Sequence, residues 1–232
     1  YLNALALEIK DKYEGEELET IYIGGGTPSA LKEKELRYLL DIVARFNVSQ
    51  DLEYTFECNI NDINETLLSI LKEYCVNWLS IGIESFDDDK LQFMERYHTY
   101  EDASLKIKLC RKLGFDNINL DLIYGIPGET LKVLKKDIDL ILKLEPDHIS
   151  TYSLIVEDNT KVGNSKMAPI SEDLDAEMYD YIVEKLESKK YLRYEISNFA
   201  KKGKESRHNL NYWNNLEYYG FGLGASGYIA SV

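Results

Sequence analysis

Positive charge is scarce in this 232-residue sequence: 27 Lys and Arg face 41 Asp and Glu, a formal net charge of −14. Such a surface repels other polyanions, which argues against unaided binding to nucleic acid or anionic lipid. Cysteine is scarce too. Cys58, Cys75 and Cys110 are odd in number and far apart, so no disulfide framework is implied and reduced thiols are expected. No apolar run approaches the roughly 20 residues that span a membrane, and no segment reads as a signal peptide. A cytoplasmic location without a membrane span is therefore expected. Internal repeats and low-complexity segments are also lacking. The sequence starts at Tyr1, inside a helical pattern, and ends on Gly-Tyr-Ile-Ala-Ser-Val, which reads as a piece of something longer.

What is present is a globular mixture, 44% hydrophobic and 29% charged, long enough to bury a core without staples. Apolar runs alternate with helical patterns. Strands are expected at Thr20–Gly24, Glu53–Glu57, Trp78–Glu84, Asn117–Tyr124 and His148–Leu154. Helices are expected at Leu2–Tyr13, Leu31–Phe46, Asn64–Cys75, Tyr100–Leu113, Leu131–Leu144 and Leu174–Lys190. Thr99 and Asp102 form a capping signature for the helix at Tyr100, and Gly114 stops it. The alternation means βα units and a parallel sheet. Glu157–Ile170 reads as the longest loop.

Strand side chains alternate between faces. Leu79, Ile81 and Ile83 oppose Ser80, Gly82 and Glu84. Ile118, Leu120, Leu122 and Tyr124 oppose Asn117, Asn119, Asp121 and Ile123. Tyr54 and Phe56 oppose Thr55 and Glu57. One face suits a layer of helices; the other is small and polar. A flat doubly covered sheet would be apolar on both faces, and a closed barrel fills its interior with Val, Ile and Leu. The pattern therefore predicts a wide or incomplete barrel with a polar, ligand-bearing lumen.

Gly24, Gly25 and Gly26 end a strand, and Thr27-Pro28-Ser29 leads into a helix, with Ser29 as its expected N-cap. The third glycine of a dinucleotide fingerprint would fall at Ser29, and no Gly-Lys-Ser/Thr follows, so neither nucleotide motif fits. The triplet is either a tight turn or a ligand-touching rim at the carboxyl end of a strand. Glu57, Glu84 and Asp121 share the polar faces, where unpaired carboxylates are costly; an amine, a ribose or a cationic centre would satisfy them. Arg96 is either a surface residue or a clamp for a carboxylate. His208, Tyr212 and Trp213 of "HNLNYW" read from residue types as a polar aromatic cluster that closes the barrel end.

Six segments occur in order: "YIGGGTPSAL", "SIGIESFDDDKLQFMERYHTYEDA", "INLDLIYGIPGET", "PDHISTYSL", "YEISNFA" and "HNLNYW". Together they resemble the radical S-adenosylmethionine proteins related to oxygen-independent coproporphyrinogen III oxidase, and most closely the HemW-type haem chaperones. The resemblance implies an α/β fold, a partial (β/α)6 TIM-like barrel truncated at both ends. Residues 1–156 would be the barrel without its first strand and cluster loop, 157–170 a loop, and 171–232 a barrel-closing helix and the start of an accessory region. It implies S-adenosylmethionine bound by Gly25, Gly26, Thr27, Glu57, Glu84, Arg96, Asp121 and Ile155. A [4Fe–4S] cluster is implied for the full-length protein, and haem or a porphyrinogen as further ligand, which His208, Tyr212 and Trp213 would contact by axial ligation or stacking.

Two departures stand out. The family's cluster-binding CxxxCxxC spacing is absent from the three cysteines and is expected upstream of Tyr1, so the fragment alone is expected to generate no radical. Ser226 of "GASGY" stands where the family usually has His. Two functions follow from the resemblance. One is a carrier that binds haem and delivers it to a recipient haem protein. The other is an oxidase that decarboxylates coproporphyrinogen III to protoporphyrinogen IX. A third reading, a barrel binding a phosphorylated metabolite at the Gly triplet, predicts affinity for phosphate and none for S-adenosylmethionine.

Overall fold

The computed structural model describes residues 1–154 and 168–229. It divides into two compact units, one of Tyr1–Leu79 with Ser206–Val232 and one of Ser80–Glu205.

The first unit contains α1 (Leu2–Lys12), β1 (Leu18–Ile23), α2 (Glu33–Val43), β2 (Val48–Asn59) and α3 (Glu65–Glu73). Strands β1 and β2 pair in parallel, Ile21 beside Tyr54 and Ile23 beside Phe56; α2 is the crossover that parallel pairing requires. Its Leu36, Leu39, Leu40 and Val43 are buried at helical spacing, which gives the helix one apolar face to press on the strands. Strand β3 (Trp78–Glu84) begins in this unit and ends in the second.

Three local differences from the sequence expectations have clear causes. Ser29 is not a helix N-cap: Pro28–Ala30 form a separate 3-10 turn, and the Ser29 hydroxyl donates to Asp62 Oδ2 at 2.7 Å and accepts from Asn59 N–H at 2.9 Å. Helix α2 therefore starts only at Glu33. The third helix stops at Glu73 because Cys75 takes a left-handed φ of 63°. A helix that the aromatic tail did not announce, α8 (Arg207–Trp213), closes the first unit. Buried Glu53 holds its start, accepting from Ser206 Oγ (2.9 Å), Arg207 N–H (2.8 Å) and His208 N–H (3.0 Å). A carboxylate there satisfies orphan N–H groups and complements the positive end of the helix.

The second unit carries the short α4 (Asp88–Phe93), α5 (Tyr100–Lys112), β4 (Ile118–Tyr124), α6 (Leu131–Lys143), β5 (His148–Ser153), α7 (Glu172–Ser188), β6 (Leu192–Arg193) and β7 (Asn198–Ala200). Strands β4 and β5 pair in parallel with α6 between them; β7 runs antiparallel to β5, and β6 antiparallel to β7. The expected Thr99/Asp102 capping box is present at α5, where Thr99 N–H donates to Asp102 Oδ2 at 3.0 Å and Asp102 N–H to Thr99 Oγ1 at 3.1 Å. Gly114 follows α5 at φ 82°. Most of the expected long loop lies outside the described residues.

The apolar stripe of α6 is interrupted by one acid. Asp137 sits among buried Leu134, Ile138 and Ile141 and is itself fully buried. Lys90 Nζ reaches Asp137 Oδ2 at 3.0 Å, Glu129 Oε1 at 2.6 Å and the Ile123 carbonyl at 2.9 Å. Asp137 also accepts from Ser85 Oγ (2.6 Å) and Phe86 N–H (2.8 Å), and Glu129 from Ile126 N–H. This hub fastens the segments that leave β3 and β4 to α4 and α6. Burial pushes the Glu129 carboxyl up despite its ammonium partner, so the site is short of solvation and depends on the pairing.

Candidate functional site

In the first unit the glycine triplet follows β1. The Glu57 carboxylate lies against Gly24 so closely that a Cβ there would meet its Cδ and Oε1 at 2.5 Å. Glu57 Oε2 accepts from Gly25 N–H at 2.9 Å and Oε1 from Tyr22 Oη–H at 2.7 Å. Gly25 and Gly26 have φ of 74° and 69°, and an added Cβ at either would meet nothing within 4 Å. The left-handed backbone explains glycine there, and the surrounding space leaves Gly25, Gly26 and Thr27 as an open, exposed main-chain rim. The structure thus brings Gly25 and Glu57 together.

Next to Glu57, the Tyr22 ring stacks on His208, with centroids 5.2 Å apart and planes at 21°. His208 Nδ1 lies 2.9 Å from Thr20 Oγ1 and Nε2 2.7 Å from Tyr212 Oη. Tyr212 packs edge-on against Tyr218, which in turn contacts Tyr228. Burial lowers the His208 pKa to about 4, so its ring is neutral near neutral pH. Tyr212 and Trp213 are about half exposed, at 44% and 52%.

In the second unit Glu84 ends β3 with a left-handed φ of 65°, a backbone that costs a non-glycine residue about 1–2 kcal/mol. Its carboxylate folds back over Gly82, where a Cβ would meet Oε1 at 2.6 Å, and Arg96 Nη2 donates to it at 3.1 Å. A second guanidinium nitrogen, Arg96 Nη1, is buried and has no hydrogen-bond partner among the described residues. A buried N–H without an acceptor is costly enough that native structures rarely keep one. A strained acid beside an unsatisfied Arg donor has the chemistry of a ligand cradle, and a carboxylate is the acceptor that a guanidinium fork matches best.

The polar face expected for the second unit's strands is present and covered. Ser80, Glu84, Asn119 and Ser150 are buried, and Asp121 is half-buried. Asp121 Oδ1 accepts from Asn119 Nδ2 at 2.7 Å and Oδ2 from Ser80 Oγ at 3.3 Å. Ile155 lies outside the described residues.

Metal chemistry is not built into the cysteines. Cys58 and Cys110 are buried, Cys75 is exposed, and burial pushes the Cys110 thiol up to about 12. Among the described residues no three His, Cys, Asp or Glu side chains could hold a metal ion, and no helix is long and apolar enough to cross a membrane.

Sequence reasoning missed Glu53, the Lys90 hub, His98 and the partners of Asp121. A single acid on the apolar stripe of α6 was the available sign of the hub. His98, whose two ring nitrogens are buried without a hydrogen bond of good geometry among the described residues, left no sign in the pattern.

Comparison with known proteins gives these residues a context. The chain is 45% identical to the heme chaperone HemW of Bacillus subtilis over 243 residues, covering 100% of this chain and 64% of that protein. It is 37% identical to the heme chaperone HemW of Escherichia coli, covering 93% and 57%. The chain thus spans about three-fifths of the length of these curated relatives. Among solved structures it superposes on coproporphyrinogen III oxidase (HemN) of Escherichia coli with a TM-score of 0.80 and 22% identity, covering 92% of this chain and 50% of that one; this likeness establishes the fold, including its partial barrel. The family model described as the radical SAM superfamily matches residues 3–141, more than half of the sequence, and the chain therefore belongs to the radical SAM superfamily.

Proposed function

We propose that this chain is the central portion of a cytoplasmic HemW-like protein that binds haem and delivers it to a recipient haem protein, with S-adenosylmethionine held in its barrel. The observation that carries the cofactor part is the Arg96–Glu84 pair with Arg96 Nη1 buried and unpartnered among the described residues. In this reading Arg96 holds the cofactor's carboxylate, and Gly25, Gly26 and Thr27 offer main chain to its methionine end. The resemblance assigns Glu57, Glu84 and Asp121 as acceptors for the cofactor's ammonium and hydroxyl groups, and also Ile155, which lies outside the described residues. When bound with a [4Fe–4S] cluster, this cofactor supplies radical chemistry. This chain's own part is to bind it and orient it. The three cysteines here do not serve the cluster; its thiolate ligands belong to residues outside this sequence.

Haem is read as cargo, supported by the 45% identity to a haem chaperone and by α8. Tyr212 and Trp213 offer ring faces half in water, and neutral His208 has the charge state that binds iron. Ligation through Nε2 requires the Tyr212 hydroxyl, now 2.7 Å away, to turn aside. The expected result is that full-length protein titrated with hemin shows a stoichiometric Soret shift. His208→Ala should weaken that binding about tenfold or more. Anaerobic conversion of coproporphyrinogen III by the reconstituted full-length protein would replace the carrier reading with the oxidase one.

A further inference from the structure

The Asp121 carboxylate belongs to a chain of hydrogen bonds through Asn119 and His148 to Tyr194. A carboxylate only accepts, so the group of Asn119 that faces Asp121 Oδ1 at 2.7 Å is its NH2. The same NH2 donates to Ser80 Oγ at 2.8 Å, which leaves the Ser80 hydroxyl proton for Asp121 Oδ2. The Asn119 carbonyl then faces His148 Nδ1 at 2.7 Å and Ser150 Oγ at 3.1 Å, and both must donate to it. His148 thus carries its proton on Nδ1. Burial lowers its pKa to about 3, so the ring is neutral, and Nε2 accepts from the Tyr194 hydroxyl at 2.7 Å. Register places the donors side by side: Asn119 lies opposite His148, and Asp121 opposite Ser150. His148, Asn119 and Ser150 are all buried, so water does not compete for these positions.

We propose that Asn119 and His148 are positioning residues for ligand recognition: His148 fixes the orientation of the Asn119 amide, and that amide orients the Asp121 carboxylate as an acceptor for hydroxyl or ammonium donors of S-adenosylmethionine. The inference rests on the reading that Asp121 contacts this cofactor. Its chemical content is a choice of hand. With the amide reversed, a carbonyl would face the carboxylate, Asp121 would be stabilised in its protonated form, and it would present a donor where the ligand also has donors. In the arrangement described, His148 Nδ1–H and Ser150 Oγ–H both donate to the Asn119 carbonyl, which leaves the amide NH2 for Asp121. Removing either residue frees the carboxylate to rotate without touching the ligand's own contacts.

The test uses full-length protein and two variants. Asn119→Asp keeps an acceptor for His148 and Ser150 but sets a second carboxylate against Asp121, and such a pair shares one proton. Among the described residues, the titratable groups joined to that pair by hydrogen bonds include His148, with Tyr194 beyond it. Calorimetry with S-adenosylmethionine should show wild-type affinity nearly level with pH. Asn119→Asp should bind about ten- to a hundredfold more weakly near pH 8.5 and recover most of that loss near pH 6. Asn119→Leu should be weak at both. Selective 15N labelling of the ligand-free wild type should find His148 as the neutral Nδ1–H tautomer. A pH-independent loss in Asn119→Asp, or an Nε2–H tautomer, overturns the positioning role. If wild type binds no S-adenosylmethionine, the functional reading fails instead, and 13C titration of the carboxyl groups in ligand-free Asn119→Asp still decides whether the pair shares a proton.

Discussion

Lys90→Met should cost about 3–5 kcal/mol of folding stability, read as a lowered urea midpoint, or leave the protein unfolded at 37 °C. The side chain is 4% exposed and its two carboxylate partners are fully buried. Methionine fills the space of the lysine stem but leaves Glu129 and Asp137 with no cation. Glu129 is already pushed up by burial, so the variant is expected to take up a proton there, and Asp137 loses one of its donors. The ion pair itself is not a net source of stability; removing one partner is what costs. The variant Lys90→Met/Glu129→Gln/Asp137→Asn should therefore be more stable than Lys90→Met alone. A loss below about 1 kcal/mol for Lys90→Met, the size of a surface ion pair, would show that water reaches the hub.

Acid should weaken the fold well before its carboxylates protonate. The sequence has three histidines, and burial lowers all of them: His148 to about 3, His208 to about 4, and His98 below its ordinary value. The unfolded chain takes up a proton at each near pH 6.5, whereas the folded chain does so only at lower pH, far lower for His148 and His208. Protons therefore favour unfolding as pH falls through 6.5, and the loss continues down to the folded pKa values. At about pH 5 the shortfall is about 1.5 pH units per ring, or roughly 2 kcal/mol each for His148 and His208. The raised Glu129 carboxyl acts in the opposite sense, because the folded state takes up its proton first. Urea unfolding compared at about pH 7.5 and about pH 5 should show a loss near 4 kcal/mol, and His208→Gln should remove about half of it. Equal stability at the two pH values would mean that these rings are not held neutral by burial.

The regular elements were legible because their signals are local. Alternation in "LSIGIE" and "INLDLIY" identified β3 and β4, and Thr99 with Gly114 bounded α5, because caps and faces act over a few residues. The small polar face was legible for the same reason. What lay beyond the sequence depends on contacts distant along the chain. Strand β2 runs from Val48, well before the Glu53 expected from its alternation, because pairing beside β1 decides its length. Helix α8 is seven residues long and polar, and it owes its start to Glu53, 153 positions away from Ser206. The left-handed Glu84, the buried unpartnered Arg96 Nη1 and the Asn119–His148 pair are products of folding that no periodicity encodes. Of the candidate site, the acids and Arg96 were visible as residue types on faces; the bonds that orient them were not.

The central claim is that Arg96, held by Glu84, waits for the carboxylate of S-adenosylmethionine. Calorimetric titration of that cofactor into full-length protein and into Arg96→Leu tests it most directly. Removing a charge-assisted bond should weaken binding about a hundredfold, and Arg96→Lys should restore only part, because an ammonium does not reproduce the guanidinium fork. Equal affinity in wild type and Arg96→Leu, with the fold intact, would contradict the account.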